Sequence, residues 1–484
     1  MTPPPPPSHE APHELEDEIL HDEMLHEYGS SATKVEPGGI ERIPEDERHG
    51  QAWHLFTTWM SPNLEFATVF VGVIGVLFFG LSFWQCAAAV VLGVGLGSMS
   101  HIGLSLWGPR HGLAQMVLSR TGFGYWGNLL PAGLNAVLAC VGWFAVNSIS
   151  GAYALASLTH MSTKLALVIV IAAELVIAFF GHNLIHLFER IAFPFLGTVF
   201  VMAAVSTFGH AHLSTPGTGG IPTVGAFLIE MAAAFGYAAG WNPFASDYTR
   251  YLPPSQGRRA AVFAGLGIFV SCAVLMIVGA ASATIVNTGL AKNGTPTDAF
   301  THTMPGWLSA LTLLAISIGA VSANVLNIYS GAMSALALGI KVGYAFRRGL
   351  VAILAGVVGG FVAFTYLNDP NAYENWLLII AYWLGPWLAV VFVDRFLRRA
   401  TDDRTVTAIA EDPAYVNWAG PIAMLVGMVL SIWLFSNQQN YVGPVPKANG
   451  SWGDVTFLVG FLVSGILYAG LFTVLRPRTE VTSA

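Results

Sequence analysis

Apolar stretches of about 20 residues recur along this 484-residue chain, each long enough to cross ~30 Å of hydrocarbon. They fall near 57–83, 85–107, 129–158, 163–181, 188–208, 224–247, 260–287, 305–338, 350–366, 373–394, 415–435 and 453–475. Charged residues make up 10 % of the chain and its mean hydropathy is +0.60, so it is an integral membrane protein and not a soluble globule. Twelve spans are expected. The run at 305–338 exceeds what a span needs and implies either a break or a long cytoplasmic extension.

The placement of charge tests that count. Twelve spans put both termini on one side, and the excess of Lys and Arg marks the inside. With the N-terminus inside, eighteen of the 21 Lys and Arg residues fall in cytoplasmic segments, from Lys34 and Arg42 through Arg258 and Arg259 to Arg476 and Arg478. Only Lys164, Lys292 and Lys447 fall outside. One missed span would invert every later loop. The expectation is a multi-pass protein of the plasma (cell) membrane, in contact with membrane lipid, with both termini cytoplasmic.

Three regions follow. Residues 1–50 form an acidic cytoplasmic tail, opening on a proline run, that cannot bury enough apolar surface to fold alone. Much of the formal net charge of −7 comes from it. His9, His13, His21 and His26 lie among acids there and read as solvated side chains. Residues 51–400 hold a ten-helix core, and 401–484 hold two peripheral helices and a C-terminal tail. No cleavable signal peptide is visible.

Several chemistries are excluded. Cys86, Cys140 and Cys272 sit within spans at no metal or redox spacing and read as small buried hydrophobes. Gly122-Phe-Gly-Tyr-Trp-Gly127 satisfies GxGxxG but follows no strand, so a dinucleotide site fails its context test. There is no P-loop, no HExxH helix and no nucleophile–base set. The chain is not read as an enzyme, and no cofactor, structural metal or nucleic-acid partner is expected. Gly93-Val-Gly-Leu-Gly97 reads as a close helix–helix contact.

What remains is a set of interruptions inside the membrane. The stretch Gly236-Tyr-Ala-Ala-Gly-Trp-Asn-Pro-Phe-Ala-Ser-Asp-Tyr-Thr-Arg-Tyr-Leu-Pro253 breaks the sixth span at Gly240-Trp241-Asn242-Pro243. Irregular backbone in lipid is tolerated mainly where it lines a cavity. The plainer alternative is a proline kink that serves packing. The first span opens on Ser61-Pro62-Asn63 and carries Gly72 and Gly75, a corresponding place if spans 1–5 and 6–10 are inverted repeats.

These residues resemble the nucleobase:cation symporter-1 family, and its purine–cytosine permease branch in particular. The run Ala245-Ser-Asp-Tyr-Thr-Arg-Tyr-Leu-Pro253 carries the resemblance, with Gly39-Ile-Glu-Arg-Ile-Pro-Glu-Asp-Glu-Arg48 before the first span. Gly108-Pro-Arg-His-Gly-Leu-Ala-Gln-Met-Val117, Phe179-Phe-Gly-His-Asn-Leu-Ile-His-Leu-Phe-Glu-Arg190 and Asn327-Ile-Tyr-Ser330 follow in order. The resemblance implies an all-α secondary active transporter with twelve transmembrane helices, a five-plus-five inverted-repeat core and broken helices 1 and 6. It would import a nucleobase of the cytosine or purine type by alternating access and symport with a cation, proton or sodium. Allantoin, hydantoin, uracil or thiamine are alternative substrates on the same scaffold. A transport-like sensor signalling through the tail is the alternative outside transport.

The polar residues of the spans suit such a substrate. Trp143 and Asn147 are four apart and share a helix face. Asn324 and Asn327, three apart on span 8, share another, and Trp241 lies beside the break at Gly240. An aromatic plane ringed by carboxamides fits a planar heterocycle with donors and acceptors on its edge. The alternative makes Trp143 an interface anchor and the asparagines interhelical glue. The resemblance places Asn147 and Trp241 at substrate-contacting positions and leaves Asn324 and Asn327 unresolved. It also exposes a departure: Leu326-Asn327 stands where the branch usually reads Pro-Asn. Counting back from either asparagine does not give the paired hydroxyls of the sodium-coupled members, so proton coupling is favoured. Ionisable groups in the membrane default to functional candidates, here Glu65, Glu174 and Glu189. Glu65 is assigned to substrate or cation. Glu189 is assigned to the coupling proton, or else to an ion pair with Arg190 or another cytoplasmic arginine. Asp247 and Arg250 form a candidate inner gate.

Because no substrate or gating contact falls in the tail, deleting residues 1–30 leaves uptake largely intact, measured against protein level at the membrane. Loss of transport at normal levels would favour the sensor.

Overall fold

The computed structural model describes residues 39–180, 182–285, 295–339, 347–367, 372–438 and 441–475. Residues 1–38, with His9, His13, His21, His26 and Lys34, lie outside the described residues, as do Lys292, Lys341, Arg476 and Arg478. Regular structure among the described residues is helical, with one isolated bridge between Asn437 and Val442.

Helix α1 runs in two halves, α1a His54–Asn63 and α1b Phe66–Leu77, bent by 58°. Then come α2 Phe83–Ser105, α3 Leu129–Thr159, α4 Thr163–Phe180, α5 His182–His210 and α6a Thr223–Ala239 with α6b Ala245–Thr249. The remainder are α7 Gly257–Ala283, α8 Gly306–Ala337, α9 Arg347–Tyr366, α10 Ala372–Leu397, α11 Ala419–Phe435 and α12 Thr456–Leu475. Eight of these are long and apolar enough to cross a membrane, and α1 makes a ninth when its bent halves are taken together. The apolar helices α4, α9 and α11 occupy the other three places expected from the sequence. The break considered for 305–338 is absent: α8 is unbroken over 32 residues, about 48 Å at ~1.5 Å per residue.

Packing divides the core in two. Helices α1, α2, α6a and α7 form one group, with α2 against both α6a and α7 and α1 against α7. Helices α3, α4, α8 and α9 form the other, and α5 leans on α8 and α1 as α10 leans on α6a. Each five-helix half thus opens on a broken helix, as the inverted-repeat layout requires. α11 and α12 pack on each other and on α10, outside both groups.

Backbones approach closely where glycines allow it. A Cβ on Gly279 would lie 1.8 Å from the Val69 carbonyl oxygen, and one on Gly72 would lie 1.7 Å from that of Met276, so α1b and α7 meet backbone to backbone. Gly93 and Gly97 likewise press α2 onto Met231 and Ala238 of α6a, the helix contact read from their spacing. The three cysteines are free and buried. Gly122 and Gly124 of the GxGxxG run pack on Val390, Asn417 and Tyr415, which accounts for those glycines structurally.

One boundary moves. Residues 39–50, assigned above to an unfolded tail, are docked on the helices. Ile43 and Arg48 are buried. Arg48 donates to the carbonyls of Ile43 at 2.9 and 3.0 Å and of Pro109 at 2.7 Å, and Arg250 donates to those of Gly39 and Glu41 at 3.0 and 3.1 Å. Charge-assisted bonds to backbone carbonyls order this acidic segment where its own apolar content could not.

A side chain at position 279 meets rigid backbone, and overpacking of this kind costs about 1–3 kcal/mol or more. Gly279→Val therefore lowers the thermal midpoint of the detergent-solubilised protein and its folded yield. Gly133→Ala, where the nearest atom stands 3.8 Å off, leaves both unchanged.

Candidate functional site

The break in α1 is built by side chains that replace lost backbone bonds. Glu65 adopts an extended conformation (φ −152°, ψ 171°) between the two halves. Asn63 Nδ2 donates to the Trp59 carbonyl at 2.7 Å, Thr68 Oγ1 to the Asn63 carbonyl at 2.7 Å, and the Ala67 amide to Glu65 Oε2 at 3.1 Å. The same side chains reach across to α6a. Trp241 Nε1 donates to Asn63 Oδ1 at 2.8 Å, and Tyr237 Oη to Glu65 Oε1 at 2.9 Å. One interruption thereby positions two aromatic residues beside the other.

In α6 the interruption is a single tight turn, Asn242–Phe244, with Pro243 inside it. Proline has no N–H to continue the ladder. The short α6b follows, and the stretch still counts as one span over Thr223–Thr249.

Between these breaks and α3 and α8 lies a cavity of about 230 Å³, lined by Trp143, Asn147, Tyr237, Gly240, Trp241 and Asn327. Five of the six residues expected to bind substrate thus converge on one space. The Trp143 ring meets Tyr237 edge to face, centroids 5.1 Å apart at 84°, and Trp241 meets Trp59 in the same manner at 5.7 Å. A Cβ on Gly240 would stand 3.2 Å from Trp143 Nε1, so glycine there keeps the indole clear. Trp143 ends a wide π-type turn, Leu138–Trp143, within α3. Such turns recur at functional sites. Here the turn seats Cys140 against Gly331 of α8.

Asn324 stands one layer behind. It is fully buried, and its Nδ2 lies 2.8 Å from the Phe144 carbonyl, 2.9 Å from Glu174 Oε1 and 3.0 Å from Ser148 Oγ. Its Oδ1 accepts from Asn147 Nδ2 at 3.1 Å and Asn327 Nδ2 at 3.3 Å. Of the two asparagines left open above, Asn327 is the one at the cavity.

Glu189 meets hydroxyls. Ser322 Oγ lies 2.7 and 2.8 Å from its two oxygens, Ser61 of the α1 break stands 3.4 Å from Ser322, and Arg190 is exposed. The carboxylate thus joins α5, α1 and α8 without an arginine partner among the described residues. Asp247 Oδ1 accepts from the Gln115 amide at 2.9 Å, tying α6b to the α2–α3 connection, while Arg250 holds residues 39 and 41. Both are buried.

Sequence reasoning missed Tyr237 and Asn63 as contributors. Tyr237 lies four residues before Trp241, a helical spacing that would have put both on one face. Asn63 lies in the motif already noted at the first break.

Comparison with known proteins bears out the family resemblance. Residues 42–460 match the family described as permease for cytosine/purines, uracil, thiamine, allantoin. The putative purine-cytosine permease YxlA of Bacillus subtilis is 30 % identical over 461 residues, covering 92 % of this chain and 97 % of that protein. The purine-cytosine permease fcyB of Emericella nidulans is 29 % identical, over 90 % of this chain and 87 % of its own. Among solved structures, Mhp1, a nucleobase-cation-symport-1 family transporter in a closed conformation with bromovinylhydantoin bound, superposes with a TM-score of 0.71. It is 19 % identical and covers 90 % of this chain and 94 % of its own, which establishes the shared fold. These relatives are permeases and transporters, not enzymes.

If the Trp241 ring stacks on a base, Trp241→Ala weakens binding by roughly 1–3 kcal/mol, and Trp241→Phe keeps part of it. Unchanged affinity in a well-folded Trp241→Ala protein removes the residue from the site.

Proposed function

We propose that this chain, which belongs to the family of permeases for cytosine/purines, uracil, thiamine and allantoin, imports a nucleobase of the cytosine or purine type by symport with a proton. The observation that carries the reading is the convergence of two indoles and two carboxamides on one cavity. Indole faces stack on any planar base, and carboxamides read its edge. Purine-cytosine permeases among the relatives support the same substrate class.

Glu189 is the proposed proton carrier. It bridges the α1 break and α8 through Ser61 and Ser322, so adding or removing its proton changes what holds the two groups of helices together. Glu65 is the second candidate, since it joins the α1 break to Tyr237 at the cavity wall. Transport proceeds by alternating access. The core at residues 51–400 rearranges about the cavity, α11 and α12 stay peripheral, and Asp247 and Arg250 close the inner side. The protein resides in the plasma membrane with both termini in the cytoplasm, as the lysine and arginine bias implies.

Uptake of radiolabelled cytosine, hypoxanthine, uracil and allantoin into transport-deficient cells tests the substrate. Cytosine and hypoxanthine accumulate; transport confined to uracil or allantoin moves the assignment within the family. Uptake rises as external pH falls, because the proton is a co-substrate. It collapses with a protonophore and is indifferent to replacing sodium with choline. Glu189→Gln flattens the pH profile without altering substrate choice. Strict sodium dependence without a pH effect defeats the proton assignment and leaves the transporter standing.

A further inference from the structure

We infer that Glu174 and Asn324 form a positioning pair that turns the carbonyl oxygens of Asn147 and Asn327 toward the cavity, so that the substrate is read through an edge of N–H donors. Neither member of the pair lines the cavity. Acceptors that cannot donate fix the orientation. The Phe144 carbonyl and Glu174 Oε1 both lie within 2.9 Å of one end of the Asn324 amide, and that end must therefore be the NH₂ group. Ser148 Oγ, 3.0 Å from the same nitrogen, passes its own hydrogen to Glu174 Oε2 at 2.8 Å, so both carboxylate oxygens are engaged.

With its nitrogen fixed away from the cavity, Asn324 offers Oδ1 to the two cavity asparagines. Both must donate to it, at 3.1 and 3.3 Å. Their amides are thereby oriented: nitrogen toward Asn324, oxygen left over. For Asn147 the consequence is visible, because its Oδ1 is buried and has no hydrogen-bond partner among the described residues. A buried acceptor without a donor is costly unless a ligand supplies one. The site thus selects a ligand bearing ring or exocyclic N–H groups on the edge that enters between α3 and α8. A free base carries such groups. One methylated at that nitrogen does not.

The pair can be exchanged. In Asn324→Asp the new carboxylate still accepts from Asn147 and Asn327, but it faces Glu174, carboxylate to carboxylate. Adding Glu174→Gln places an amide donor opposite it and removes that repulsion, while the Phe144 carbonyl stays opposed to the new oxygen in both variants, so the rescue is partial. This inference rests on the nucleobase reading for its probes, and the experiment separates the two. Uptake of cytosine and hypoxanthine is measured for wild type, both single variants and the double variant, each normalised to protein at the membrane. Competition by 1-methylcytosine, 1-methylhypoxanthine and 9-methylhypoxanthine is measured alongside.

The expected results are a KM raised at least about tenfold in Asn324→Asp, as befits buried polar groups left unpaired, and a KM at least about threefold lower in the double variant than in Asn324→Asp, since one of the two opposed contacts is relieved. For each base, wild type discriminates at least about tenfold against one methylated position, and the double variant keeps that preference. A double variant no better than Asn324→Asp overturns the pairing. Equal competition by every methylated base in wild type, an arm that needs no variant to fold, overturns the donor edge. Failure of wild type to take up either base ends the nucleobase reading and this inference with it.

Discussion

Interrupting a helix within lipid leaves amides and carbonyls that no water can satisfy, and the rest of this structure is arranged around how those groups are met. At the α1 break the substitutes are Asn63, Glu65 and Thr68, and each has capacity beyond the bond it replaces. Asn63 caps the Trp59 carbonyl with its nitrogen and holds Trp241 with its oxygen. Glu65 takes the Ala67 amide on one oxygen and Tyr237 on the other. The wall of the cavity is thus a by-product of repairing a helix. Removing either side chain would release an aromatic ring and expose backbone in the same stroke.

A second regularity concerns charge. Glu65, Glu174 and Glu189 are buried side chains whose described partners are hydroxyls, amides and backbone N–H groups. A carboxylate held by neutral donors can gain a proton without abandoning a buried cation, whereas breaking a buried ion pair strands a charge. Groups that must change protonation during a cycle belong in the first setting. Arg48 and Arg250 instead bind backbone carbonyls at one end of the bundle.

Much of this was legible in advance, for identifiable reasons. Apolar length and the lysine and arginine bias defined the spans, because the bilayer imposes a fixed thickness and a fixed sign of loop charge. Gly240 and Pro243 announced the α6 interruption, because no other residues weaken a helix so directly. Asn324 and Asn327 resisted separation. Three residues apart they share a face, and which of them fronts the cavity depends on how α3 is rotated against α8. That rotation is set partly by the π-type turn at Leu138–Trp143, which widens the helix locally and which a 3.6-residue period does not reveal. The docking of residues 39–50 was hidden for a different reason. Its anchors are arginine contacts to main-chain carbonyls more than 60 and 200 residues away in sequence, and main-chain acceptors carry no sequence signature.

That docked segment has a consequence for leakage. On the symport reading proposed above, opening without cargo dissipates the driving gradient, and a latch on one conformation would limit it. Residues 39–48 cross from Arg250, just beyond α6b, to the Pro109 carbonyl in the α2–α3 connection, tied at both ends by guanidinium hydrogen bonds. Separating those two elements requires the strap to travel with one of them or to let go of the other. Each charge-assisted bond released costs about 1.5–3 kcal/mol. Two or three together set a threshold well above thermal energy against parting those two elements.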